Sequence, residues 1–254
     1  MSRWKIFRRR PERVAPPPPA RVPDGVRVYA VGDIHGRADL LDAVLSRIDR
    51  HRAESGPAQC FEVFLGDYID RGPNSRGTIE RLIERSSGRH SRVVTLCGNH
   101  EDMLLEALRN PERLNVWARN GGFETLMSYG VTVPARITPA TAEAVVEEAR
   151  ALLPVSHRQF LFGLGDSFRC GDYLFVHAGV RPGVPLDRQS RSDLLWIRDE
   201  FIEAEEDFGA IVVHGHTPVR EIEFRSNRIN IDTGAYITNT LNCLVLEGSD
   251  AIAL

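Results

Sequence analysis

The sequence predicts an α/β protein whose functional groups sit at the ends of buried strands. Three observations carry this expectation. Apolar β-type runs alternate with amphipathic helical segments through the first part of the chain. From Tyr173 onward, β-type runs dominate. Third, five short polar blocks beside glycine each follow an apolar run: Gly32-Asp33-Ile34-His35-Gly36, Gly66-Asp67-Tyr68-Ile69-Asp70-Arg71-Gly72, Gly98-Asn99-His100-Glu101, His177-Ala178-Gly179 and His214-Gly215-His216-Thr217-Pro218.

Taken in order, Val26 to Val31 is a strand. Asp39 to Ala53 carries Leu40, Leu41, Val44, Leu45 and Ile48 at helical spacing, with Arg47, Asp49 and Arg50 on other faces, and so returns the chain as an amphipathic helix. Cys60 to Leu65 is the next strand, Thr78 to Arg85 the next helix through Ile79, Leu82 and Ile83, and Arg92 to Leu96 the third strand. This alternation favours parallel βαβ units. Between Glu101 and Leu164 the pattern is mostly helical: Thr138 with Pro139 starts a helix, Ala140 to Leu153 fills it, and Pro154 stops it. Within that stretch, Trp117, Asn120, Gly121 and Gly122 read as a packed indole and a Gly-Gly turn. Tyr173 to His177, Ala210 to His214, Arg228 to Asp232 and Leu241 to Leu246 are expected to form a second sheet.

At 254 residues the chain suits one substantial domain, expected over residues 25–254. A formal charge of −3 shows no basic bias, so nucleic acid is not an expected partner. The cysteines, Cys60, Cys97, Cys170 and Cys243, have no CxxC spacing and read as small buried thiols. No leader and no spanning apolar run is evident, so membrane insertion is not expected and the cytoplasm is the expected compartment. Residues 1–24, with Arg3, Lys5, Arg8, Arg9, Arg10 and the run Pro16 to Pro19, read as a disordered basic, proline-rich tail.

The five blocks supply the ligand types of a two-metal hydrolase. Paired divalent ions roughly 3.5–4 Å apart need a bridging carboxylate, further donors for each ion, and open positions for water and substrate. Asp and Asn offer hard oxygens and His a borderline nitrogen, a mixture that argues for a transition metal over calcium. Glycines beside them let the backbone turn sharply and approach closely.

On these blocks, together with Asp193-Leu194-Leu195-Trp196-Ile197-Arg198 and Ile231-Asp232-Thr233-Gly234-Ala235, the chain from about Val26 onward resembles the metallophosphoesterase superfamily. Within it, the likeness is to PPP-type serine/threonine protein phosphatases of the compact bacterial and phage kind. The resemblance implies a β-sandwich flanked by helices (αββα), with a dinuclear metal site at the strand ends. It implies that Asp33 and His35 hold a first metal, Asp67 bridges, and Asn99, His177 and His216 hold a second. Both are divalent ions, manganese first, with iron or zinc also compatible. His100 resembles the general acid, with Asp70 bonded to its imidazole, and Arg71, Arg198 and Asn99 grip the phosphate. His216 is chosen over His214 because the family pattern reads Gly-His-Thr-Pro, which leaves His214 against the neighbouring sheet. Asp232 is expected to cap a turn, and His51, His90 and His157 to lie on the surface.

The implied activity is hydrolysis of phosphoserine and phosphothreonine in phosphoproteins or phosphopeptides by direct attack of metal-activated hydroxide, with some reach to phosphotyrosine and aryl phosphates. The alternative is a dinucleoside polyphosphate hydrolase, a branch that usually carries Gln where His35 stands. Pro218 occupies the place of the final His of the diesterase branch and speaks against it. The chain ends soon after Asp232-Thr233-Gly234-Ala235, so no regulatory subunit is expected.

Overall fold

The computed structural model describes residues 19–88 and 91–254. Most of the expected tail (residues 1–18) and His90 lie outside the described residues. The first half runs β1 (Val26–Val31), α1 (Ala38–Glu54), β2 (Gln59–Phe64), α2 (Ser75–Ser87), β3 (Arg92–Thr95) and α3 (Asn99–Arg109). A helical region follows: α4 (Leu114–Trp117), a π-type turn (Ala118–Gly122), α5 (Phe123–Ser128), α6 (Pro139–Leu152) and α7 (Val155–Phe162). The rest comprises β4 (Ser167–Cys170), β5 (Tyr173–Val176), α8 (Arg191–Trp196), α9 (Asp199–Ile202), β6 (Ile211–His214), β7 (Glu223–Phe224), β8 (Arg228–Asn230), α10 (Ala235–Thr238), β9 (Cys243–Glu247) and β10 (Asp250–Ala253).

These strands make two five-stranded sheets, ordered β10-β9-β1-β2-β3 and β4-β5-β6-β8-β7. β1, β2 and β3 are parallel, as are β5, β6 and β8, while β9, β10, β4 and β7 pair antiparallel at the flanks. Side chains alternate across each strand, and in β1, β5 and β9 both faces are buried along most of the strand. Val28 and Ala30 of β1, Val63 of β2, Phe175 of β5, Val213 of β6 and Leu244 and Leu246 of β9 meet between the sheets. Their neighbours Tyr29, Val31, Phe64, Cys243 and Val245 face α1 and α2 through Leu41, Val44, Ile48, Ile79 and Leu82. Leu174, Val176 and Val212 pack outward on Leu194 and Phe201 of α8 and α9. Burial of both faces explains why these strands read as continuous apolar runs. The parallel direction of β1, β2 and β3 brings their carboxyl ends to one edge.

Four expectations need correction. Leu241 to Leu246 was assigned to the second sheet, but β9 pairs with β1 in the first, Cys243 opposite Val31. An apolar strand pattern fixes faces, not the partner, and this partner lies some two hundred residues away. His157 is buried, with Nδ1 2.8 Å from the Tyr129 hydroxyl, a hydrogen-bond partner that lowers the cost of taking the ring inside. His51 is half-buried and contacts the Tyr29 hydroxyl at 2.9 Å. Finally, the end of the expected tail is packed: Val22 lies in the inter-sheet core, and its N–H donates to Gly248 O at 3.0 Å. No helix among the described residues is long and apolar enough to cross a membrane.

Candidate active site

The loops after β1, β2 and β6 hold their side chains on unusual backbone. Among the described residues six non-glycine residues have positive φ, and five are expected site residues: His35 (47°), Asp67 (51°), Asp70 (72°), Arg71 (65°) and His216 (67°). Such conformations cost about 1–3 kcal/mol each and persist only where neighbours enforce them. Here the neighbours are visible. The N–H groups of Ile34 and His35 both donate to Asp67 O, at 3.0 and 2.8 Å, tying the first loop to the second. The Glu101 carboxylate accepts from the N–H of Asp67, Tyr68 and Gly98 at 2.8–2.9 Å, tying the second loop to the start of α3. Glycine is required at two close approaches, since a Cβ on Gly98 or Gly215 would run into the carboxylates of Asp67 and Asp33.

These loops converge on Asp67. One of its oxygens faces His177 Nε2 at 3.4 Å, the other His35 Nε2 at 3.5 Å. Two groups of possible metal donors therefore share this aspartate: His35, Asp67 and His100, and Asp67, His177 and His216. Asn99 Oδ1 lies 2.9 Å from His177 Nε2 and 2.8 Å from His216 Nδ1. Asp33 accepts from the His216 N–H at 3.1 Å, and its other oxygen is buried with no hydrogen-bond partner among the described residues. So all six side chains expected as ligands belong to one connected cluster. His214 does not: it packs edge-on against Phe201, 4.9 Å between rings, and turns Nδ1 to Gly215 O.

The donor set fits divalent cations. His35 and His177 place Nδ1 at 2.9 and 3.0 Å from the carbonyls of Ile69 and Leu65, which fixes the Nδ1–H tautomer and leaves each Nε2 a bare lone pair. A bare nitrogen facing Asn99 and Asp67 oxygens is an arrangement that a cation between them would satisfy. Burial drives the His35 imidazole down to about 3, that of His216 to about 2, and His177 in the same direction. For Asp67, burial works toward protonation, but the surrounding imidazoles hold the carboxyl well below its usual range. Neutral imidazoles and an ionised carboxylate are the states that bind metal.

Beside the cluster, His100 Nδ1 lies 2.6 Å from Asp70 Oδ2, and its Nε2 is directed toward Asp67, 3.8 Å away. Burial opposes charge on His100, yet Asp67 and Asp70 outweigh it and raise the imidazole above its ordinary value. Arg71 Nη1 reaches His35 Nε2 at 3.3 Å, and Arg198 Nε donates to His216 Nε2 at 3.0 Å, so the two guanidinium groups stand at two sides of the cluster.

Residues 26–243 match the calcineurin-like phosphoesterase family. The chain belongs to that family. Serine/threonine-protein phosphatase 1 of Salmonella typhimurium strain LT2 is 32% identical over 213 residues, which span 82% of this chain and 86% of that protein. The asymmetrical bis(5'-nucleosyl)-tetraphosphatase PrpE of Anoxybacillus flavithermus strain WK1 is 25% identical over 232 residues, 84% and 88% of the two chains. In fold, this phosphoesterase is similar to the cold-active protein-tyrosine phosphatase of a psychrophilic Shewanella species, with a TM-score of 0.60 at 17% identity over 92% of this chain and 80% of that one.

Several residues around the phosphoesterase site had no functional role in the sequence reading. Trp117 Nε1 donates to Asp70 Oδ2 at 2.7 Å, and Thr125 Oγ1 donates to Asp70 Oδ1 at 2.6 Å. Burial pushes the Asp70 carboxyl up, and the His100, Thr125 and Trp117 bonds act against that push. Nothing in the local sequence marks Trp117 as more than core. Glu101 did carry a signal, because Gly98-x-x-Glu101 has the spacing of a capping box. Asp232 accepts from the Gly234 N–H at 2.8 Å and so caps a turn, and burial raises its carboxyl to about 6. Tyr236 reaches Arg71 from a short helix whose sequence has no distinguishing pattern.

Proposed function

We propose that this phosphoesterase hydrolyses phosphoserine and phosphothreonine monoesters in proteins, using residues 25–254 as one catalytic domain. The observation that carries the reading is the His100–Asp70 pair beside the Asp67 cluster: a buried, raised imidazole with one nitrogen held and the other directed at the metal donors. The Salmonella serine/threonine-protein phosphatase 1 likeness supports it.

Asp33, His35 and Asp67 would hold one cation, and Asp67, Asn99, His177 and His216 the other. When bound, such a pair neutralises phosphoryl oxygens and acidifies nearby water. Manganese is our first assignment, with iron and zinc compatible, because the donors mix oxygen and imidazole. Arg71 and Arg198 grip the phosphate with planar, permanently charged forks, with the Asn99 amide beside them. His100 gives its Nε2 proton to the departing serine or threonine oxygen, while Asp70 holds the ring in place and favours its charged form. The four cysteines are buried free thiols, which supports a reducing, cytoplasmic setting.

A second reading, cleavage of dinucleoside tetraphosphates, draws on the PrpE likeness. The higher identity to the Salmonella phosphatase, 32% against 25%, favours the phosphoprotein. The test is a comparison of kcat/KM for manganese-loaded protein on phosphoserine peptides, diadenosine tetraphosphate and a bis-aryl phosphate. Preference for the peptide is expected. Preference for the tetraphosphate would reassign the substrate, and no turnover of any would end the enzymatic reading.

A further inference from the structure

Arg71 carries a charge that its own surroundings hold only lightly. Among the described residues it has no carboxylate within ion-pair distance. Its Nη1 contacts His35 Nε2 at 3.3 Å and donates to the Tyr236 hydroxyl at 3.1 Å, and its Cζ lies 4.9 Å from the centre of the Tyr236 ring. Arg71 and Tyr236 also share the wall of a cavity of about 610 Å³ with Asp39 and Asp42. Those two carboxylates are already paired, Asp39 with Arg37 at 2.6 Å and Asp42 with Arg81 at 2.5 Å, so the contacts that hold Arg71 at the metal donors are those to His35 and Tyr236.

Tyr236 itself is firmly placed. It sits on α10, a four-residue helix between two left-handed residues, Gly234 (φ 64°) and Asn239 (φ 58°). Arg37 Nη1, from the loop that leads into α1, donates to Ala235 O at 3.2 Å and to Asn239 Oδ1 at 2.6 Å. Thr238 Oγ1 closes the base of the helix on Thr233 O at 2.9 Å. The Tyr236 ring also stands edge-on to His35, 5.1 Å between centres. Its hydroxyl fixes the end of the guanidinium and its π face attracts the cation.

We propose that Tyr236 is a positioning residue that holds Arg71 against the metal cluster, so that the phosphate meets an arginine already in place. The inference rests on the reading of Arg71 as a phosphate-gripping residue given above. An arginine aligned before binding loses no reorganisation energy when the phosphate arrives. The effect of the Tyr236 hydroxyl must therefore pass through Arg71, whereas the ring also touches His35.

The test is a double-mutant cycle on the manganese-loaded protein, read by calorimetric affinity for inorganic phosphate and by KM and kcat on a phosphoserine peptide. Tyr236→Phe removes one hydrogen bond but keeps the ring, and should weaken phosphate binding and raise KM about fivefold with kcat within about twofold. Tyr236→Leu also removes the ring and should cost about twentyfold. In an Arg71→Ala background, Tyr236→Phe should have no further effect. A Tyr236→Phe effect of the same size with and without Arg71 would overturn the proposal, as would an unaltered phosphate affinity in Tyr236→Phe. Undiminished phosphate affinity in Arg71→Ala alone would instead overturn the role given to Arg71.

Discussion

The strand-end loops and the helical region between α3 and α7 contribute to the site in opposite ways. The loops supply Asp33, His35, Asp67, Asp70, Arg71 and His216, most of them on left-handed backbone held by cross-loop hydrogen bonds. The helical region meets the loops at its π-type turn, where Gly121 has φ 105° and its carbonyl accepts the Arg71 N–H at 3.1 Å. It presents Trp117 and Thr125 to the Asp70 carboxylate. Strained backbone aims the reactive groups, and ordinary helical backbone holds the aim.

Changes in the loops should therefore disable the enzyme, whereas changes in the helical region should detune it. The largest effect belongs to Asp67→Asn. Loss of the shared carboxylate should lower bound metal below two ions per chain, measured by elemental mass spectrometry, and cut kcat/KM by on the order of a thousandfold. Two retained ions would remove Asp67 from the bridging role. His100→Asn comes next, with a loss of about a hundredfold on alkyl phosphates and a smaller one on activated aryl phosphates, which need less help from an acid. Equal losses on both would take the acid role from His100. Trp117→Phe, in the helical region, removes one bond to a buried carboxylate and should lower kcat on alkyl phosphates about tenfold. Unaltered turnover would reduce that region to a packing role. The smallest effect lies furthest from the loops, at His157. Burial lowers its imidazole below the ordinary value, so on acidification the unfolded chain takes up the proton first. Stability is then greatest above about pH 6.5 and falls as pH drops toward the lowered folded value. The drop in Tm between pH 7 and pH 5 should be smaller in His157→Asn than in the parent protein, whatever the offset at neutral pH.

The same contrast governs how far the sequence could be read. The helices α1, α2 and α6 were legible because their apolar residues recur at helical spacing, and Thr138, which accepts from the Thr141 N–H, marks where α6 begins. The site blocks were legible because Asp, Asn and His beside glycine are unusual at the ends of apolar runs. Trp117 was not, since an indole bonded to a carboxylate and an indole packed in a core have the same sequence signature. His157 was misread for the same reason, as its burial depends on the Tyr129 hydroxyl. β9 was assigned to the wrong sheet because period-two alternation does not encode a partner. β4, β7 and β10 are flanking strands with mostly exposed or half-buried residues, so they leave no continuous apolar run to read.

Local chemistry alone determined that residue types suited to metal binding would stand where strands stop, and the family resemblance supplied the role expected of each. The placement follows from side-chain type and hydrophobic period, which are properties of neighbouring residues. Only the tertiary structure decided that His216 and not His214 meets Asn99, that Glu101 ties two loops together, and that Trp117 and Tyr236 reach Asp70 and Arg71. Those contacts join segments up to 165 positions apart, and a hydrogen bond across such a span leaves no trace in either segment until the chain has closed around it.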